Sequence, residues 1–175
     1  MIHVKFKQAM LGAIAAAAFA TAPITASAKT VVDIAVGSEV HKTLVAAVTA
    51  AGLVDTLSSD GKFTVFAPTD AAFGKLPEGT VETLVEPANK GLLTKILTAH
   101  VVAGNVTASD LIAKINAHGG AYNFSAISGD ALTAKLKGNH VYIFDESGGA
   151  ALVTTADVAA DNGVVHIVND VLLPK

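Results

Sequence analysis

The chain has six histidines, and five follow residue 40: His41, His100, His118, His140 and His166. An imidazole titrates near neutrality, so each could be a general base, a proton carrier or a metal ligand. A metal centre would need them in a pattern, such as two histidines one helical turn apart or H-E-x-x-H. Neither occurs. A metal-dependent hydrolase would have to bring His100, His140 and His166 together through the fold. Taken singly, the histidines read more simply. His41 and His118 fall among polar residues on helical stretches and are expected in solvent. His166 lies mid-strand among valines and is expected to be buried, with its ring bonded to a backbone carbonyl.

Other reactive types are as sparse. There is no cysteine, so thiol catalysis and cysteine zinc sites are excluded. No G-x-S-x-G elbow occurs, and Ser38, Ser58, Ser59, Ser109, Ser128 and Ser147 sit at turns and caps. Asp145-Glu146 falls in a predicted hairpin turn, where solvated carboxylates are the expectation. Glycosidase chemistry would place the pair across a cleft. In "KFTVFAPTDAAFGKLP" (62–77), Thr69 and Asp70 stand where a strand turns into a helix. That corner could present a reactive hydroxyl, but no base or metal ligand pairs with it. Pro68 ends the extended run. Thr69 or Asp70 then offers an oxygen to the free N–H groups of a helix over 71–76. These residues yield no catalytic group, metal site or cofactor, and the chain reads as a non-enzyme.

The elements that position these residues change character along the chain. After Ser38, a plausible N-cap, Val40, Leu44, Ala47, Val48 and Ala51 share one helix face, and Gly52 supplies the stop. A strand covers 63–66. Short helices follow Asp70 and Thr80, and Leu92, Leu93, Ile96, Leu97 and His100 line a longer one. "VVAGN" predicts a brief strand and turn. Thr107-Ala108-Ser109-Asp110 has the spacing of a capping box, and Gly119-Gly120 closes that helix. Beyond it the period becomes two. Strands are predicted over 132–136, 140–144, "AALVTT" and 164–168, the last central. Asp161-Asn162-Gly163 signals the tight turn before it. Helices first and a strand meander last predict an α+β domain.

Composition bounds the rest. Residues 1–28 have the layout of a secretory signal peptide: Lys5 and Lys7, an apolar stretch from Ala9 to Ala20, and Ala26-Ser27-Ala28 as a cleavage site. Residues 29–175 are then a single domain. All twelve basic residues are lysine, and removal of the first two leaves ten against fifteen acids, a charge of −5. An acidic, arginine-free chain without tryptophan is a poor partner for nucleic acid. Membrane insertion of the mature chain is not expected.

Three stretches carry a resemblance: "FTVFAPTDAAFGKLP" (63–77), "LLTKILTAHVVAGNVTASDL" (92–111) and "NGVVHIVNDVLLP" (162–174). In this order and spacing they resemble the fasciclin domain, over nearly all of residues 30–175. The resemblance implies a wedge-shaped β-sandwich with helices packed around one end. It also implies a non-catalytic role in cell–cell or cell–surface attachment, by a periplasmic or extracellular monomer whose partner is a protein or cell-surface component. Thr69, Asp70, Asn162, Gly163 and His166 become structural positions of its first and last segments. Many animal members carry Tyr-His, implicated in integrin binding, where this chain has Ala99-His100. His100 with Leu97, Val101 and Val102 is the candidate interaction patch. The competing reading makes His100 a structural residue bonded to a helix-terminal carbonyl. The alternative function is binding of an envelope polysaccharide or small ligand, with Lys135 and Lys137 meeting an acidic polymer.

Overall fold

The computed structural model describes residues 29–174. The signal-peptide reading of residues 1–28 lies outside them. Helices α1 (Val31–Val36), α2 (Lys42–Ala51) and α3 (Val54–Leu57) precede strand β1 (Phe63–Pro68). Helices α4 (Asp70–Phe73) and α5 (Thr80–Val85), a 3-10 turn at Pro87–Asn89 and α6 (Lys90–Ala99) lead into β2 (Val101–Ala103). Helix α7 (Ala108–Ala117) is followed by β3 (Ala121–Ser125), β4 (Ala131–Lys137), β5 (His140–Phe144), β6 (Ala150–Ala160) and β7 (Gly163–Val168). This is the expected α+β order.

The strands form one sheet in the order β2-β1-β7-β6-β5-β4-β3. β7 is central, as its valine-rich sequence predicts, and runs parallel to β1 from Phe63↔Gly163 to Pro68↔Val168. The remaining pairs are antiparallel. The sheet folds into a sandwich on β6. The front of β6 pairs with β5, and the remainder pairs with β7 across two register shifts, between Val153 and Thr155 and between Thr155 and Val158. Such bulges bend a strand and raise its twist. The two edges of the sheet come close, since the Ile127 N–H donates to the Val101 carbonyl at 2.8 Å.

Alternation along β1 divides the interior. Val65 and Ala67 face a cluster built with Leu44, Val48, Leu93 and Leu97 of the helices. Phe66 faces the other way, into a cluster with Leu111, Ile115, Leu132, Ile143 and Val168 inside the folded sheet. Side chains of a strand alternate between its faces, so one strand serves two cores.

Several elements differ from expectation. α1 is a helix where none is predicted, although Thr30 and Asp33 form the same reciprocal capping box as Thr107 and Asp110. α2 starts at Lys42, because the Ser38 hydroxyl engages the ring of His41 at 2.7 Å instead of capping the helix. Gly52 ends α2 in the left-handed conformation, as expected. The helix after the β1 corner is one turn, Asp70–Phe73. β3 is an unpredicted strand. Leu92, placed on the inner face of α6 by periodicity, is 52% exposed.

Candidate functional site

The corner at 68–70 is structural, and its two polar residues cap different helices. The Thr69 hydroxyl accepts the Ala72 N–H at 3.3 Å and caps α4. Asp70 reaches away. Its Oδ1 accepts the Thr43 N–H at 2.8 Å, while its own N–H donates to the Val40 carbonyl at 2.8 Å. Asp70 thus satisfies the first turn of α2, whose own N-cap, His41, makes no side-chain cap bond. Burial raises the Asp70 pKa, but hydrogen bonds from Thr43 and Lys42 together with the nearby His41 outweigh it and hold the carboxyl below its ordinary value. The residue stays ionised, as suits the positive end of a helix.

His41 corrects a reading. It is 2% exposed, not solvated. Its Nδ1 meets the Ser38 hydroxyl, and its Nε2 is buried without a hydrogen-bond partner. Burial lowers its pKa, although the Ala67 carbonyl and the Asp70 carboxylate oppose the shift. His118 is exposed at the end of α7, with Nδ1 2.7 Å from the Lys114 carbonyl oxygen.

His100 closes α6 from within. Nδ1 lies 2.8 Å from the Ile96 carbonyl oxygen, and Nε2 lies 2.8 Å from the backbone nitrogen of Leu172. A carbonyl only accepts and a backbone N–H only donates, so Nδ1 carries the proton and Nε2 offers its lone pair. The ring is therefore neutral, and burial pushes its pKa down to about 4. Leu97, Val101 and Val102 around it are all buried. None of the four candidate patch residues presents a face to solvent. Ala99, at the position of the family tyrosine, is also buried.

His166 is buried and bonded as expected, and it organises more than its own strand. Its Nε2 donates to the Val106 carbonyl at 2.8 Å, and its Nδ1 accepts the Asp157 N–H at 3.3 Å. The ring stacks on Phe66 with centroids 5.5 Å apart. Burial lowers its pKa. Asp157 occupies the β6 bulge at φ +57°, and its Oδ1 accepts the Ala108 N–H at the start of α7 at 2.7 Å. One histidine thereby joins β7, the bulge and the entry to α7. The bulge has no plain signature in the sequence: the predicted strand "AALVTT" ends at Thr155, and β6 carries on past Asp157 to Ala160.

Asn162 fastens the helical layer to the β6–β7 turn. Its Oδ1 accepts the Val31 N–H at 2.9 Å, and its Nδ2 donates to the carbonyls of Leu57 and Ser59 at 2.6 and 3.1 Å. At Gly163 the backbone of β1 passes so close that a Cβ would overlap the Phe63 carbonyl. Only glycine admits that approach.

Asp145 departs from the picture of a solvated turn carboxylate. Its Oδ1 accepts from the Ser147 hydroxyl and the Gly149 N–H, and its Oδ2 accepts the Leu173 N–H at 2.9 Å. Glu146 accepts the Ala131 N–H at 3.0 Å. Both acids hold backbone rather than facing each other across a cleft.

The three histidines of the hydrolase reading do not converge. His140 is exposed at the start of β5, and the ring nitrogens of His100 and His166 are committed to backbone. Among the described residues no group of three or more histidine or acidic side chains could hold a metal ion, and no helix is long and apolar enough to cross a membrane.

A seven-stranded sheet folded on one strand, with helices over one end and polar residues spent on tying segments together, defines an α+β domain. The chain belongs to the fasciclin domain family, whose model matches residues 39–174. It is 47% identical over 150 residues to protein sll1483 of Synechocystis sp., covering 86% of this chain and 76% of that one. It is 38% identical over 122 residues to the immunogenic protein MPB70 of Mycobacterium bovis, covering 70% of this chain and 54% of that one. The fold is that of the solved FAS1 domain pair from the insect cell adhesion molecule fasciclin I. That match has a TM-score of 0.71 at 19% identity and covers 83% of this chain and 51% of the other.

Proposed function

We propose that this protein is an exported attachment domain, joining cells to one another or to a surface without catalysis. The observation that carries the reading is that the polar groups of the fasciclin segments are consumed internally. Thr69, Asp70, Asn162, His100 and His166 all hold backbone. What is left for a partner is the outer surface, and attachment is the role of the cell adhesion molecule whose domains share this fold. Export rests on Lys5, Lys7, the apolar stretch and Ala26-Ser27-Ala28. The working species is a monomer in the periplasm or outside the cell, and its partner is a protein or cell-surface component. Beads coated with the purified protein test this. They bind the producing cells, and soluble protein competes. Beads that bind no better than albumin-coated ones contradict it.

A second reading, an acidic envelope polysaccharide as ligand, is favoured by one arrangement. Lys135 and Lys137 stand over the rings of Phe144 and Tyr142 at 5.0 and 6.0 Å on neighbouring strands. Calorimetric titration with acidic envelope glycans decides it, and absence of heat with all of them removes it.

A further inference from the structure

The helical layer contains a cavity of about 130 Å³ beneath α1 and α2. Val32 and Ala35 of α1, Val48 of α2 and Val54 of α3 line it, and it extends inward to Leu97 and His100. Its wall has almost nothing to offer a polar guest. The Thr49 hydroxyl is spent on the Val45 carbonyl at 2.8 Å. Both nitrogens of His100 are spent on Ile96 and Leu172, so the imidazole turns only carbon to the space. A buried water needs two to four polar partners, and an apolar cavity of similar size, about 150 Å³, stays dry and accepts apolar guests.

The helices do not collapse onto this space because polar ties hold them independently of their packing. α1 is tied at its start to the β6–β7 turn by Asn162 on the Val31 N–H, and α2 to the β1 corner by Asp70 on the Thr43 N–H. At the outer end of α1, Val36 lines the same cavity and is 61% exposed, which leaves an apolar lip in solvent. The lining is aliphatic, with no phenylalanine or tyrosine to stack on a guest ring.

We propose that this cavity is a binding site for a single short aliphatic chain of about six carbons, the tail of a short fatty acid, since an apolar cavity of similar size takes a six-carbon guest, entering past Val36 with its carboxylate left in water. The proposal does not rest on the attachment reading, so either can fail without the other. The test is titration of the isotopically methyl-labelled full chain with hexanoate, followed by NMR. Saturable shifts are expected at the methyls of Val32, Ala35, Val48 and Val54. Ala35→Phe fills the space and is expected to weaken binding about tenfold or more. Val32→Phe fills it one turn further from the lip and serves if the first variant does not fold. The proposal is overturned by the absence of saturable shifts. It is also overturned by shifts centred on the exposed Leu92, Ile112 or Ile127, or by wild-type affinity in a folded variant.

Discussion

The Nε2 atom of His100 accepts the backbone N–H of Leu172 across a sequence separation of 72 residues. The end of α6 therefore holds the last segment of the chain in the core, where Leu172 is 1% exposed. Asp145 repeats the hold one residue later, on Leu173. The segment "NDVLLP" is thus a structural strap, and the histidine of the central fasciclin segment is its anchor.

His100→Leu is expected to destabilise the fold by about 1–3 kcal/mol, the cost of leaving the Ile96 carbonyl and the Leu172 N–H unpaired in the core. Urea unfolding measures the loss. Amide exchange at Leu172 should accelerate more than at Val65. A variant as stable as the parent would show that the strap is held by other contacts.

Stability should fall on acidification before the carboxylates titrate. The folded state holds His100 neutral down to about 4, against 6.5 for the free side chain, and burial lowers His41 and His166 as well. Below 6.5 the unfolded chain takes up protons that the folded chain refuses. The contribution is fully present above 6.5 and drains as pH falls toward about 4. For His100 the cost is about 3 kcal/mol. Unfolding curves across this window check it, and His100→Leu should flatten the dependence. A flat profile for the parent would mean that these rings protonate in place.

Thr69→Ala and Asp70→Ala should each cost about 1 kcal/mol, the ordinary value of a helix cap. They should act at different places. Loss of the Thr69 hydroxyl leaves the Ala72 N–H only the Thr69 carbonyl at 2.8 Å, whereas loss of the Asp70 carboxylate frees the Thr43 N–H at the start of α2. Site-resolved amide exchange separates the two. Identical exchange patterns would show that both residues serve one helix.

Gly163→Ala should cost about 3 kcal/mol or more, since the new methyl overlaps the β1 backbone and the central pair of strands must separate. Asn162→Ala should instead loosen α1 and α3 while leaving the β1–β7 pairing intact, because its bonds go to Val31, Leu57 and Ser59. Near-equal thermal stability of Gly163→Ala and the parent would count against the close approach.

Local signals made much of this legible in the sequence. The Thr107–Asp110 box, the turn signalled by Asp161-Asn162-Gly163, the left-handed Gly52 and the burial of His166 among valines each follow from neighbouring residues. What could not be read is where side chains reach over long separations. Asp70 has the spacing of a local cap, and its actual target, Thr43, lies 27 residues back. His41 looks polar in sequence and is covered once β1 and α4 pack against α2. The β6 bulge is dictated by His166 and α7, which receive the Asp157 backbone and side chain, not by any residue type within β6. α1 was legible, since Thr30 and Asp33 repeat the Thr107–Asp110 pattern.

Attachment by the intact organism tests the central claim most directly. Surface attachment and cell–cell aggregation are measured for the parent strain, a deletion strain and a complemented strain. The account predicts loss of attachment on deletion and full restoration by the wild-type gene. Unchanged attachment in the deletion strain would contradict the account.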